Sequence, residues 1–127
     1  MSNIRLVIVV RKDLQMPAGL LAAQVLHAGD QFMRLKINNT HPDTKFSDME
    51  KEWCKSPYVS VLSVQTLEEL DMIQDKAQEE RLPMYSWVDL VPSPTFKDQS
   101  FRARVAIAIG PEDFDKIKLV TGQLPLY

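Results

Sequence analysis

The pattern of apolar and polar positions at the start of the chain predicts a buried strand followed by a long helix. Every position from Leu6 to Val10 is apolar and most are β-branched, which is typical of a strand covered on both faces. We therefore predict a first strand over residues 4–10. After a turn, Pro17 occupies the start of a helix over residues 17–37, because proline has no N–H to lose in a first helical turn.

The predicted helix carries two stripes of side chains at steps of three and four residues. The first stripe is apolar, and we expect it to pack on a sheet. Its members are Leu21, Val25, Ala28, Phe32 and Leu35. The second stripe, which begins near the point where the strand hands over to the helix, consists of Leu20, Gln24, His27 and Gln31. In open α/β sheets such a point is where ligands bind.

The later part of the chain predicts shorter elements. Turn-forming residues 38–43 end the first helix. Ser47 and Glu50 have the spacing of a capping box, which predicts a helix over residues 48–54 with Trp53 directed into the core. Residues 58–64 predict a second strand. Thr66 and Glu69 form a second possible capping box, opening a helix that runs to about residue 81.

The last elements follow the same logic. We predict strands over residues 84–89 and 104–109, and a helix from Glu112 or Asp113 to about Val120, where acidic residues suit the positive end of a helix. Gly122 is placed to cap that helix. Gly110-Pro111 is interpreted as a backbone turn.

The order of these elements is β-α-α-β-α-β-β-α, which predicts an α/β fold. We expect three α/β/α layers around a four-stranded mixed β-sheet. Helical crossovers imply parallel pairing among the early strands, and the fourth strand is expected to be antiparallel. With 127 residues and 45% hydrophobic positions, the chain is long enough for an adequate core, and we predict a single domain over residues 1–127.

Charge and composition exclude several classes of protein. The net charge of −2 does not suit a protein whose whole surface binds nucleic acid, so any RNA contact must come from a local patch. One cysteine, Cys54, excludes an internal disulfide. The apolar runs are too short to span a bilayer. His27 and His41 lie apart and Cys54 stands alone, so the sequence predicts no metal site.

Residues 90–103, between the third and fourth predicted strands, are interpreted as a long loop, and loops of this length are often functional. Asp89 precedes it, and the cations near its end are Lys97, Arg102 and Arg104. These residues suit an anionic ester substrate: the cations would contact phosphates, and Asp89 would orient a water or a ribose hydroxyl. The alternative is a solvated loop with a capping aspartate.

Both ends of the chain resemble one family. Residues 9–14 read Val-Val-Arg-x-Asp-Leu, residues 16–19 read Met-x-x-Gly, and residues 22–28 read Ala-Ala-Gln-x-x-His-Ala. Near the other end, residues 108–111 read Ala-Ile-Gly-Pro and residues 120–124 read Val-Thr-Gly-x-Leu. Together these motifs resemble the archaeal and eukaryotic type of peptidyl-tRNA hydrolase over nearly the whole length.

The resemblance implies hydrolysis of the ester that joins a peptide to the terminal ribose of tRNA, in the cytoplasm, without a metal or other cofactor. It also implies a homodimer with tRNA as the partner. The residues that match the family's site are Gln24 and His27 on the first helix, Asp89 at the end of the third strand, Gly19, and the pair Arg11 and Asp13. The alternative for Gln24 and His27 is that they only form hydrogen bonds across a helix–loop junction.

Three departures from the family pattern leave a second function open. Leu20 replaces a lysine counted among the family's active-site residues, Val105 replaces a threonine, and the loop after Asp89 is rewritten so that only Ser93 offers a hydroxyl. A cation that compensates for the lost lysine would come from Lys12, Lys97, Arg102 or Arg104. The alternative is a catalytically impaired member of the fold that binds tRNA or protein. We interpret Trp53 and Trp87 as core or interface residues.

Overall fold

The structure is a computed structural model that describes residues 3–40 and 44–127. Within these residues the elements are, in chain order, β1 (Ile4–Arg11), α1 (Ala18–Gly29), α2 (Gln31–Ile37), α3 (Asp48–Lys55), β2 (Tyr58–Val64), α4 (Leu67–Glu79), β3 (Met84–Pro92), β4 (Ser100–Asp113) and α5 (Phe114–Thr121). None of the helices found there is long and apolar enough to cross a membrane.

The strands form one mixed sheet in the order β2-β1-β4-β3. Strand β1 pairs with β2 in parallel and with β4 antiparallel, and β3 pairs with β4 antiparallel. The predicted four-stranded mixed sheet is therefore confirmed, together with the parallel pairing of the first two strands. Strand β3 lies at one edge, and its outer side faces no other strand of this sheet.

Helices cover both faces of the sheet, which explains the uninterrupted apolar run in β1. Successive side chains of a strand point to opposite faces, and those of β1 enter two separate cores. Leu6, Ile8 and Val10 pack with residues of α1, α2 and α3, including the predicted core residue Trp53. Val7 and Val9 pack with residues of α4 and α5. The predicted three-layer α/β/α architecture is confirmed.

The single helix predicted over residues 17–37 is wrong, because the chain breaks at Asp30. Asp30 has φ −92° and ψ 0°, so α1 ends at Gly29 and α2 begins at Gln31. A Cβ built on Gly29 would lie 3.4 Å from Ile8 Cδ1 and 3.5 Å from Leu6 Cδ2, so the backbone runs very close to the sheet here. The predicted turn of residues 38–43 begins after α2, and its residues 41–43, including His41, lie outside the described residues.

The predicted loop over residues 90–103 is also wrong, since half of it continues the two strands. Leu90 pairs with Arg102, Val91 pairs with Phe101, and Pro92 ends β3, which leaves residues 93–99 as the connection. Proline is tolerated on an edge strand because no neighbouring strand needs its N–H. Gly110-Pro111 is not a turn either, because it lies within β4.

The helix caps follow the sequence closely. Ser47 and Glu50 form the full reciprocal capping box at the start of α3, and Asp113 caps α5 by accepting the Asp115 N–H. The Thr66 hydroxyl accepts the Glu69 N–H at 3.1 Å as predicted. The Glu69 carboxylate, however, accepts the N–H of Gln65, so this second box is shifted by one residue.

Candidate active site

Gln24, on the second stripe of α1, is buried and joins the helix to edge strand β3. Its Nε2 donates to Oδ2 of Asp89 at 3.1 Å, and its Oε1 accepts a hydrogen bond from Trp87 Nε1 at 2.6 Å. An indole N–H can only donate, so the amide oxygen must face Trp87 and the amide nitrogen must face the carboxylate. The polarity of this three-residue chain is therefore fixed by chemistry.

His27 lies one turn further along α1 and completes what we call the Gln24–Asp89 cluster (Gln24, His27, Trp87 and Asp89). Its imidazole stacks on the Trp87 indole with ring centroids 4.9 Å apart and an interplanar angle of 24°. The guanidinium of Arg34 lies 5.6 Å from the centre of the same indole and donates to the His27 carbonyl. Two cationic or titratable groups thus border one aromatic side chain.

The pKa of Asp89 is held below its ordinary value. The largest cause is the hydrogen bond from Gln24, followed by the bond from the Leu90 N–H to Oδ1 at 2.8 Å. The positive charges of His27 and Arg102 act in the same direction and outweigh, with the hydrogen bonds, a partial desolvation that raises the pKa. Asp89 is only partly exposed and is ionised at neutral pH.

Arg11 and Asp13, at the end of β1, are paired with each other. Arg11 Nε and Nη2 donate to the two carboxylate oxygens of Asp13 at 3.0 Å and 2.8 Å, and Nη1 donates to the Arg104 carbonyl at 3.2 Å. The bond to the Arg104 carbonyl joins the end of β1 to β4. The pair borders a cavity of about 360 Å³ under the β3–β4 connection, which is also lined by Phe96 and Phe101.

Ser93 lies beside that cavity and organises the connection. Its hydroxyl oxygen accepts the N–H groups of Thr95 and Phe96 at 3.2 Å and 2.9 Å. The Ser93 N–H donates to the Gln99 carbonyl at 2.8 Å, which closes the base of the loop. Ser93 follows the end of β3, and its hydroxyl is bonded within the connection rather than to Asp89.

The three cations near the predicted loop go to different places. Lys97 is exposed at the tip of the connection. Arg102 is exposed on β4 and its charge lowers the pKa of Asp89. Arg104 lies two residues after Arg102, so both start on the face of β4 opposite to Asp89. Arg104 Nη1 donates to Asp71 Oδ1 at 2.5 Å and to Gln74 Oε1 at 2.6 Å.

The position of the missing lysine is apolar in its surroundings as well as in its side chain. Leu20 packs against the core formed with α1. Two of the cations proposed to replace the lost lysine have other partners: Lys12 lies over the Tyr127 ring at 5.3 Å, and Arg104 is bonded to Asp71 of α4. The charge of Arg102, by contrast, lowers the pKa of Asp89. A Cβ built on Gly19, beside Leu20, would have no neighbouring atom within 4 Å. Packing within the protein therefore does not require a glycine at this position.

Sequence reasoning missed two members of this region, Trp87 and Arg34. Trp87 is half-buried against the core, as expected, but its N–H and ring face also contact Gln24 and His27. The available signal was its position two residues before Asp89, since residues i and i+2 of a strand share a face. Arg34 follows His27 by seven residues, which returns it to the same side of a helical path.

Metal chemistry has no ligand set in the described part of the chain. Within residues 3–40 and 44–127, no three His, Cys, Asp or Glu side chains come together as a metal site requires. The chemical groups that the cluster does offer are an ionised carboxylate, an imidazole and an oriented amide. These groups are suited to holding a water and moving its proton.

Comparison with known proteins connects this geometry to a family. The family model for peptidyl-tRNA hydrolase PTH2 matches residues 4–127. The chain is similar to the peptidyl-tRNA hydrolases of Methanopyrus kandleri (33% identity over 121 residues, 94% of this chain and 95% of the relative) and Nanoarchaeum equitans (34% over 125 residues, 98% and 99%). That of Saccharolobus islandicus is 28% identical over 125 residues, covering 97% and 98%. The chain therefore belongs to the peptidyl-tRNA hydrolase family of the PTH2 type.

Proposed function

We propose that this protein hydrolyses the ester bond of peptidyl-tRNA and releases a peptide and free tRNA. Family membership supports the reaction, because the matched relatives carry that name over nearly their whole length. The observation that carries the assignment to a site is the hydrogen bond between Gln24 and Asp89, with His27 alongside. It joins the residues that match the family motifs into one partly exposed cluster.

Asp89 is proposed to hold the attacking water. Its carboxylate is ionised at neutral pH and its two oxygens are oriented by Gln24 and by the Leu90 N–H. The water oxygen attacks the ester carbonyl while one of its protons passes to the site, and the bond between the carbonyl carbon and the ribose oxygen then breaks. The proton goes to the ribose oxygen, so the products are a peptide carboxylic acid, which ionises, and a free hydroxyl on tRNA.

His27 is proposed to carry that proton. A carboxylate whose pKa is lowered is a weak base, and general-base catalysis is most effective with a group that titrates near the working pH. Imidazole is the side chain that both accepts and donates a proton near neutrality. In this assignment Asp89 aligns the water, His27 moves the proton, and the buried Gln24 orients Asp89.

The anionic tRNA is proposed to contact a local group of cations, since the chain as a whole has a net charge of −2. Arg102 and Lys97 are exposed on the hairpin that carries Asp89 and suit phosphate contacts. Arg11, Asp13, Gly19 and Ser93 are proposed to border the substrate at the strand end and in the neighbouring cavity. Arg104, bound to α4, is left out of this proposal.

The assembly and location are proposed from the family and from the reaction. We propose a homodimer, which the family resemblance implies. We also propose that the protein acts in the cytoplasm, because peptidyl-tRNA arises there during translation.

The test is turnover of a peptidyl-tRNA analogue by the purified protein and by Asp89→Asn. We expect Asp89→Asn to lower kcat about a hundredfold or more, the scale of a misplaced reacting group, because the water loses the carboxylate that aligns it. Asp75→Asn, the same substitution on the exposed side of α4, is the matched control and should leave kcat unchanged. If wild type is no faster than Asp89→Asn, the hydrolase assignment fails, and tRNA binding that weakens with salt would then indicate a binding module.

A further inference from the structure

We propose that Trp87 is a positioning residue for the hydrolysis: its indole N–H fixes the rotation of the Gln24 amide, and its ring face holds the plane of His27. This inference rests on the proposed function, because the reaction that Trp87 serves is the one assigned to Asp89. Neither the sequence motifs nor the family resemblance pointed to this residue.

The directions of two hydrogen bonds link Trp87 to Asp89 through Gln24. Trp87 Nε1 donates to Gln24 Oε1 at 2.6 Å, and Gln24 Nε2 donates to Asp89 Oδ2 at 3.1 Å. If the amide turned by half a revolution, its NH₂ group would face the indole N–H and its oxygen would face the carboxylate. Both new contacts would be repulsive, so Trp87 excludes the orientation in which Gln24 has nothing to donate to Asp89.

A second link is the contact of Trp87 with His27. The imidazole and indole rings lie nearly parallel, at 24°, with centroids 4.9 Å apart. A ring that lies flat on another ring cannot rotate freely about its terminal torsion without losing the contact. The same indole therefore restricts both proposed reaction partners of Asp89, the amide through its N–H and the imidazole through its face.

Local strand geometry directs the indole to this place. The register between β3 and β4 shifts between Trp87 and Val88: Trp87 pairs with Ala106, whereas Val88 pairs with Arg104. The extra residue is Val105 of β4, so β3 itself stays regular and Trp87 shares a face with Asp89. The small side chain of Ala106, opposite Trp87, leaves space for the indole. The bulge therefore leaves the alternation of side chains along β3 unchanged.

The test begins with Trp87→Phe, which keeps a smaller aromatic ring beside His27 and removes the N–H donor together with part of the indole. We expect kcat to fall about tenfold while KM changes less than about twofold, because orientation is lost and binding is kept. The matched control is Trp53→Phe, which removes the same atoms: Trp53 Nε1 also donates a hydrogen bond, to the Tyr58 carbonyl at 2.9 Å, but Trp53 lies on α3 and packs into the core. Thermal unfolding of each variant shows that the protein compared is folded.

A double-substitution cycle separates positioning from general loss of packing. If Trp87 acts through Gln24, adding Trp87→Phe to Gln24→Leu causes no further loss of kcat, since the amide to be positioned is already absent. A structural role would instead make the two losses multiply. Multiplying losses, or a Trp87→Phe protein with the kcat of wild type, would overturn the proposal.

The pKa of Asp89 gives a second readout that packing alone would not move. The charges that lower this pKa are those of His27 on α1 and Arg102 on β4, and both residues remain in Trp87→Phe. Loss of a fixed Gln24 amide should therefore raise the pKa of Asp89, and Trp53→Phe should not. An Asp89 pKa that stays at the wild-type value would count against the proposal.

A carboxylate titration followed by ¹³C NMR distinguishes failure of this inference from failure of the proposed function. It measures Asp89 directly and needs no turnover. Asp89 should titrate at higher pH in Trp87→Phe than in wild type, even if neither protein hydrolyses peptidyl-tRNA. In that case the role of Trp87 in positioning Gln24 is supported, and the reaction assigned to Asp89 is not. Identical titrations in an active enzyme would leave the hydrolase assignment intact and refute the role of Trp87.

Discussion

Gln24 Nε2 donates to Asp89 Oδ2 at 3.1 Å across 65 residues of sequence. The bond joins the buried stripe of α1 to the edge strand of the sheet, and it is the largest cause of the lowered pKa of Asp89. A helix side chain thus sets both the direction and the charge state of a carboxylate on another element.

Gln24→Leu should raise the pKa of Asp89, because without the amide N–H the carboxylate loses its strongest stabilising contact. The indole N–H of Trp87 also loses its partner, which should lower the free energy of unfolding by about 1–3 kcal/mol. Titration of the Asp89 carboxyl by ¹³C NMR and urea unfolding measure the two effects.

Gln31→Leu is the matched control for that substitution. Gln31 continues the same stripe, but its Nε2 donates to the Ala28 carbonyl at 3.4 Å, a long contact on a partly exposed residue. Its replacement should leave the pKa of Asp89 unchanged. Equal shifts in the two variants would show that the lowered pKa does not arise from the Gln24 hydrogen bond.

The lowered pKa of Asp89 also predicts how stability changes with pH. A carboxyl whose pKa is lower when folded stabilises the protein above its unfolded pKa, near about 4, and the contribution is lost as pH falls through the folded value. The difference in free energy of unfolding between wild type and Asp89→Asn should therefore be greatest near neutral pH and shrink in acid. Urea unfolding at several pH values measures it, and a difference that grows in acid would have the wrong sign.

Arg102→Gln should weaken substrate binding, and Arg104→Gln should not. Arg102 is exposed and its charge lowers the pKa of Asp89, whereas Arg104, on the same face of β4, is bonded to Asp71 and Gln74. At about pH 8 the Asp89 carboxylate is ionised in both wild type and variant. Under these conditions Arg102→Gln should raise KM and reduce the slope of log affinity against log salt concentration by about one unit. Arg104→Gln should cost about 1 kcal/mol or less of stability, because its ion pair is partly exposed.

One outcome of this comparison would contradict the proposed tRNA contact at Arg102. If Arg104→Gln raises KM as much as Arg102→Gln does, then tRNA contacts the α4 face of the sheet. The proposed binding surface on the β3–β4 hairpin would then be wrong, although the assignment of Asp89 would be unaffected.

Gly110→Ala should destabilise the protein strongly, and Gly29→Ala should not. Gly110 has φ +111°, and a Cβ there would lie 2.5 Å from the Arg5 carbonyl oxygen, so both the backbone conformation and the space exclude a side chain. We expect a loss of about 2–4 kcal/mol. At Gly29 the nearest atoms are side-chain carbons at 3.4 and 3.5 Å, and stability should stay within about 1 kcal/mol of wild type. Comparable losses would show that Gly110 is not under special constraint.

Local signals in the sequence were sufficient for the elements whose ends depend on neighbouring residues. The capping box of Ser47 and Glu50 and the boundaries of β2 were predicted correctly because both depend on contacts within a few residues. The break at Asp30 was not predictable in this way, since the apolar positions Ala28 and Phe32 continue the helical spacing across it.

The candidate site shows the same division. The motifs selected Gln24, His27 and Asp89, and the structure brings these three together. The interpretation of residues 90–103 as a loop failed because Pro92 reads as a strand breaker unless one knows that β3 is an edge strand. The contacts of Trp87 could not be predicted, because periodicity gives a face of a strand but not the side chain that lies across from it.

A last prediction concerns the buried ion pair of Lys36 and Glu50, which are 6% and 5% exposed. Lys36 Nζ contacts Glu50 Oε1 and donates to the Lys45 carbonyl at 3.0 Å, and the same Glu50 oxygen accepts the Ser47 N–H at 2.7 Å. Lys36→Met leaves a buried carboxylate without its cation and should cost about 3–5 kcal/mol.

Adding Glu50→Gln to Lys36→Met should recover part of that loss. The amide removes the uncompensated charge, and its carbonyl oxygen can still accept the Ser47 N–H that begins α3. Urea unfolding of both single variants and the double variant measures the coupling. A double variant less stable than Lys36→Met would contradict the prediction and show that the Glu50 charge is stabilised by its other contacts. The kcat of the folded double variant should match wild type, since the pair belongs to α2 and α3 and is bonded within that layer.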